Sequence, residues 1–127
     1  MDNSVKILTT LGIEILEKSP DKVVATMPVH GPTRQPFGIL HGGASVILAE
    51  TVASLGTWEC IDMEIQYGVG LGINANHLRR KKEGTVKAIA TPIHKDECSV
   101  IWEINITDEE GELVCISKCT MAVVTKK

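Results

Sequence analysis

From Gln35 to Trp58 the chain carries one formal charge, Glu50, and from Gly42 to Cys60 it runs without a proline. The Ala, Leu and Glu content of that stretch favours helix over strand, because such side chains lose little rotamer freedom in a helix and the strongest breaker is missing. It is too short and too polar to cross a bilayer. A helix that is apolar over most of its circumference must be buried on most sides, so the rest of the chain has to wrap it.

The flanking sequence says what does the wrapping, because there the apolar period changes to two. Residues 13–18 and 22–28 flank the turn sequence Ser19-Pro20-Asp21-Lys22 and read as an antiparallel pair. After the helix come four β-like segments, residues 62–77, 84–94, 98–107 and 112–124. In the third, Val100, Trp102, Ile104 and Ile106 alternate with Ile101, Glu103, Asn105 and Thr107, the pattern of a strand with one buried face. Asp108-Glu109-Glu110-Gly111 supplies a hairpin loop closed by a residue that tolerates positive φ. At the amino end Ser4 can cap a short helix with Ile7, Leu8 and Leu11 at helical spacing and Gly12 as terminator, and a loop rich in Gly and Pro runs from His30 to Gly38. No repeat or linker interrupts this order. It predicts one α+β domain over residues 1–127, a curved antiparallel sheet around a long helix. Such a sheet leaves an edge strand to be covered or paired, and dimerisation by sheet extension would do so.

Composition excludes several function classes. With 43% apolar residues in a chain of 127, disorder is excluded and no disulfide or metal staple is needed for folding. The aromatics are only Phe37, Trp58, Tyr67 and Trp102, and the net charge is -3. Nucleic acid is therefore not an expected partner, since single-strand binders need several exposed rings beside a basic groove. Cys60, Cys98, Cys115 and Cys119 form no C-x-x-C pair and read as thiols filling an aliphatic core. His30, His41, His77 and His94 form no H-x-x-x-H pair, so no metal is expected. Met1-Asp2-Asn3-Ser4-Val5-Lys6 holds no apolar signal run, which points to a cytoplasmic location and no membrane partner.

The chemistry concentrates on the helix and the loop before it. At 100° per residue Glu50, Ser54 and Thr57 share a narrow stripe bordered by Val46 and Ile47, amid apolar side chains. The stripe is too narrow for a solvated face, so Glu50 reads as a carboxylate in an apolar cleft, a candidate base or nucleophile, against the plainer alternative of a surface glutamate. Upstream, Gln35-Pro36-Phe37-Gly38-Ile39-Leu40-His41-Gly42-Gly43 ends where the helix begins. The first helical N–H groups have no intrahelical partner and carry the positive end of the dipole, which makes an oxyanion hole to which Gln35 can add a second donor. The alternatives are a capping histidine at His41 and a tight turn at the glycines. Donors at a helix start and a lone carboxylate two turns on favour acyl transfer. His77-Leu78-Arg79-Arg80-Lys81-Lys82 is the one strong basic cluster, either a solvated turn or a dock for phosphates. Phe37 and Trp58 bracket the Gln35–Trp58 run and are expected near an acyl pocket.

At these residues the sequence resembles the hot-dog-fold acyl-CoA thioesterases. The likeness is to the glutamate-dependent branch related to 4-hydroxybenzoyl-CoA thioesterase, with its dihydroxynaphthoyl-CoA and enterobactin-proofreading members. The matching text is Arg34-Gln35-Pro36-Phe37-Gly38, His41-Gly42-Gly43-Ala44-Ser45 with Leu48-Ala49-Glu50, Gly72-Ile73-Asn74-Ala75-Asn76-His77, Pro92-Ile93-His94 and Thr120-Met121-Ala122-Val123. The resemblance implies hydrolysis of an acyl-CoA, with an aromatic acyl group favoured and no cofactor besides the CoA of the substrate. It implies that Glu50 attacks the thioester or activates water. Gln35 and the Gly42 N–H would polarise the carbonyl, His41 orient the loop or touch the thioester, and Ser54 help place water or substrate. His77, Arg79, Arg80 and Phe37 are the implied contacts to CoA and substrate. It further implies a site shared between subunits, with the chain a homodimer or a homotetramer built as a dimer of dimers. A non-catalytic acyl-CoA binding or sensing module and a hydratase or dehydratase on the same fold are the competing readings.

Overall fold

A computed structural model describes residues 6–127 of the chain. The elements are α1 (Lys6–Leu11), β1 (Glu14–Lys18), β2 (Val23–Pro28), a short 3-10 turn (Gly31–Thr33), α2 (Gly42–Glu59), β3 (Gln66–His77), β4 (Thr85–Lys95), β5 (Ser99–Thr107) and β6 (Leu113–Thr125). The expected capping residue Ser4 lies outside the described residues. All six strands form one antiparallel sheet in the order β1-β2-β4-β5-β6-β3, and α2 packs against its inner face. This is the α+β architecture that the sequence predicts. Gly12 and Gly111, at φ of 76° and 82°, close α1 and the β5–β6 hairpin as expected. The main boundary difference is at β3. Residues 62–65 form a turn, because the Asp62 carboxylate accepts the Glu64 N–H at 3.0 Å and its carbonyl accepts the Gln66 N–H at 2.8 Å.

The core is aliphatic around a single ring. Val100, Trp102, Ile104 and Ile106 form the buried face of β5 and meet Met27, Leu48, Val52, Val86 and Met121. Helix α2 makes room for the indole at Gly56, where an added Cβ would overlap the Trp102 ring. The Trp102 Nε1–H donates to Thr57 Oγ1 at 2.9 Å, and that hydroxyl donates to the Ala53 carbonyl at 2.9 Å. Both polar groups are thereby satisfied without water, which corrects the expectation that Thr57 shares the Glu50 stripe. A threonine at the margin of that stripe turns inward when the core offers it an indole. The cysteine expectation also needs correction. Cys115 and Cys119 are buried, but Cys60 is half-buried and Cys98 exposed. Cys98 sits in the β4–β5 turn, whose backbone N–H groups at Cys98 and Ser99 are held at 2.8 Å by the Asp96 carboxylate.

The two sheet edges differ. β1 is five residues long and carries Glu14, Glu17 and Lys18, a blunted edge. β3 has twelve residues and no formal charge, and it exposes Tyr67, Val69 and Leu71. No helix of the described chain is long and apolar enough to cross a membrane.

Candidate active site

The loop before α2 is held by its own backbone. Thr33 is fully buried, with its hydroxyl donating to the Pro28 carbonyl at 2.8 Å and its carbonyl accepting the His41 N–H at 2.7 Å. Residues 34–40 fold into a small hairpin, in which Gln35 N–H donates to Ile39 O and Gly38 N–H to Gln35 O, both at 2.9 Å. The Gln35 side-chain carbonyl accepts the Phe37 N–H, which leaves the amide NH2 as its free donor. His41 is the N-cap of α2, and its Nδ1 accepts the Gly43 N–H at 2.8 Å. In the neutral ring the proton therefore sits on Nε2, and His41 offers a donor to its surroundings.

The far end of β3 is brought against this helix start. A Cβ on Gly42 would stand 2.9 Å from the His77 Nε2, so the imidazole lies directly on the first turn. Past His77, Leu40 N–H donates to Lys81 O at 2.7 Å and the Arg34 guanidinium donates to Lys82 O, which ties the two loops together. Between them lies a half-open cavity of about 430 Å³ lined by Gln35, Gly42, Ser45, His77, Arg79 and Arg80, with Leu78 and Val114 among its apolar walls. The basic tract is divided. Arg79 and Arg80 are exposed at this cavity, whereas the Lys81 ammonium pairs with Glu109. That bond raises the Lys81 pKa and, with the Thr85 N–H, holds the Glu109 carboxyl down at about 2.

Glu50 stands elsewhere. It lines a second hollow, about 160 Å³, with Gly70, Leu71 and Cys119, and a Cβ on Gly70 would approach its Oε2 to 2.9 Å. It also borders an apolar groove formed by Ile7, Leu8, Ile47, Leu55 and Trp58. Its neighbours are apolar as expected, yet in the single chain the carboxylate is exposed, which corrects the expectation of a group withdrawn from water. The chain's own sheet leaves that flank of α2 uncovered. Ser54, one turn on, is half-buried with its hydroxyl 3.9 Å from the Met121 sulfur. The Cys119 thiol beside Glu50 is pushed up to about 11, chiefly by burial and further by the Glu50 charge, and so is inert at neutral pH. Phe37 stands at the tip of the loop, 89% exposed, outside both hollows. Among the described residues no three His, Cys, Asp or Glu side chains converge to hold a metal.

The structure therefore unites Gln35, Gly42, His77, Arg79 and Arg80 and keeps Glu50 and Ser54 apart from them. Sequence reasoning singled out neither Gly70 nor Ser45. The signal for Gly70 was present, since glycines at 68, 70 and 72 inside a strand mark a close approach of another group.

Residues 37–115 match the model of the thioesterase superfamily. ComA2 of Bacillus subtilis is 55% identical, covering 99% of this chain and 100% of that one. The 1,4-dihydroxy-2-naphthoyl-CoA hydrolase of Listeria monocytogenes is 48% identical over 93% of this chain and 95% of its own. Among solved structures, a Gln-to-Ala variant of thioesterase PA1618 from Pseudomonas aeruginosa superposes with a TM-score of 0.91 at 42% identity. It covers 94% of this chain and 86% of that one.

Proposed function

Since the chain belongs to the thioesterase superfamily, we propose that it hydrolyses the thioester of an acyl-CoA, preferring an aromatic acyl group, at a site built from two copies of itself. One observation carries the reading: the Gln35 amide, the start of α2 at Gly42, His77 and two free arginines share a cavity from which Glu50 is absent. The preference for an aromatic acyl group is supported by the likeness to the dihydroxynaphthoyl-CoA hydrolase.

In this reading the thioester carbonyl oxygen accepts from the Gly42 N–H and the Gln35 NH2. One such donor aimed at a developing oxyanion is worth about 3–4 kcal/mol. His41 holds the first turn through its cap and presents its Nε2–H. The CoA phosphates lie with Arg79, Arg80 and His77, since Lys81 is occupied by Glu109. The carboxylate comes from a second copy for a geometric reason. Glu50 is eight residues beyond Gly42, about 12 Å along the helix axis, and the free N–H groups at the helix start point away from it. A single carbonyl does not reach both within one chain. Pairing through the long uncharged edge of β3 covers the exposed apolar flank and brings a partner's carboxylate to the donors. Glu50 then either attacks the carbonyl carbon, giving an anhydride that water opens, or takes a proton from the attacking water. Each route consumes one water and releases the free acid and the CoA thiol. Ser54 assists in placing that water, and Trp58, which borders the apolar groove beside Glu50, offers apolar surface to the acyl group.

The test follows CoA release from benzoyl-CoA, dihydroxynaphthoyl-CoA and straight-chain acyl-CoAs. Glu50→Gln and Glu50→Ala are expected to abolish turnover, and survival of activity without Glu50 sinks its role. Mixing inactive Glu50→Ala and Gln35→Ala chains is expected to restore about a quarter of wild-type activity, because half of the random dimers regain one complete site. No recovery in verified heterodimers refutes the shared site.

A further inference from the structure

We infer that Ser45 is a substrate-binding residue whose hydroxyl pairs with the amide of the pantetheine arm nearest the thioester sulfur, an inference that rests on the acyl-CoA reading of the cavity. Ser45 is 1% exposed, and its Oγ is the one buried side-chain polar atom among the described residues without a hydrogen-bond partner. Buried hydroxyls are ordinarily paired, and an orphan is unfavourable.

The other threonines and serine of α2 show how unusual this is. Thr51 and Thr57 donate to the carbonyls four residues back, Ile47 O at 2.7 Å and Ala53 O at 2.9 Å, and Ser54 reaches the Met121 sulfur. For Ser45 the corresponding carbonyl is that of His41, which already accepts two backbone donors, Ala44 N–H at 3.0 Å and Ser45 N–H at 3.3 Å. Its two lone pairs are taken, so the usual internal partner is closed to the hydroxyl. What remains open is the cavity. Ser45 lines it together with Gln35, Gly42 and the arginines, and a serine hydroxyl is re-aimed by rotation about one bond. The helix rises about 4.5 Å from Gly42 to Ser45. The first amide nitrogen of the pantetheine arm lies two methylenes from the sulfur, a comparable reach. A thioester seated on the Gly42 N–H, with its phosphates toward Arg79 and Arg80, carries that amide past Ser45.

The experiment compares two thioesters of one aromatic acid. The N-acetylcysteamine thioester keeps the amide, and the S-butyl thioester lacks it. Wild-type protein is expected to favour the first by roughly threefold to tenfold in kcat/KM, the worth of one neutral hydrogen bond. Ser45→Ala is expected to lose this preference without a fall in Tm, because it deletes an unpaired hydroxyl. Ser45→Cys, which keeps the volume and weakens the donor, is expected to fall between. A preference that survives in folded Ser45→Ala overturns the inference, as does its absence from wild type. A Tm several degrees lower with both thioesters equally affected assigns the hydroxyl a structural role and overturns it too. Hydrolysis of neither thioester, nor of any acyl-CoA, by folded wild type fails the functional reading itself and is distinguishable from those results.

Discussion

Replacing Gly70 by alanine perturbs Glu50 and little else. The new Cβ would stand 2.9 Å from the Glu50 Oε2, 3.7 Å from its Cδ and 3.9 Å from the Met121 sulfur. Ordinary van der Waals contact begins near 3.4 Å, so the carboxylate oxygen must withdraw by about half an ångström or more, taking its carboxyl group with it, while the Met121 sulfur stays put. Gly70 is not among the glycines at positive φ, so alanine fits its backbone and reduces the freedom of the unfolded chain. Stability should hold or rise, with Tm up by roughly 2 to 4 °C. Catalysis should fall, since a misplacement approaching 1 Å costs on the order of a hundredfold, and half of that displacement predicts about a tenfold to hundredfold loss in kcat. The assay is thiol release from a saturating aromatic acyl-CoA, with thermal unfolding run on the same samples. A Gly70→Ala protein that unfolds normally and turns over at the wild-type rate refutes the placement of Glu50 against β3.

Thr57→Val removes the acceptor of the buried indole N–H and should destabilise the chain by about 1–3 kcal/mol, read from the urea midpoint at constant m-value. Glu109 has its carboxyl held at about 2 by Lys81 and the Thr85 N–H, against an ordinary 4.5. A lowered carboxylate contributes stability that is complete above the unfolded-state value and is lost as pH falls toward the folded one. Glu109→Gln should therefore show a weaker loss of Tm than wild type between about pH 5 and pH 2, and identical slopes would contradict the pairing. Single turnover in H2(18)O should place the label in Glu50 if that residue attacks the thioester and water opens the anhydride at the Glu50 carboxyl carbon. With label in the released acid alone, direct attack of water is told from opening at the acyl carbon by trapping the anhydride, which only the nucleophilic route forms.

Much of the candidate site was legible because it is contiguous. Gln35 through Glu50 form one loop and one helix, and the low charge, the glycines at the helix start and the lone carboxylate can each be read without knowing what lies opposite. The same holds for the strands, whose period-two patterns located every element to within a few residues. Apolar periodicity reports which face a segment buries, and the backbone obeys it locally.

Long-range partners decided the rest. Lys81 looked equivalent to Arg79 and Arg80 until Glu109, from the β5–β6 hairpin, removed it from the basic tract. Thr57 looked like a neighbour of Glu50 until the Trp102 indole drew it into the core. The sequence by itself determined an apolar helix wrapped by an antiparallel sheet, and the loop and helix on which the candidate site is built. Only the tertiary structure set His77 on the Gly42 turn, left Ser45 without a partner and separated Glu50 from the donors. The physical reason is that a hydrogen bond or a steric contact between distant strands depends on sheet order and register, which no local period encodes.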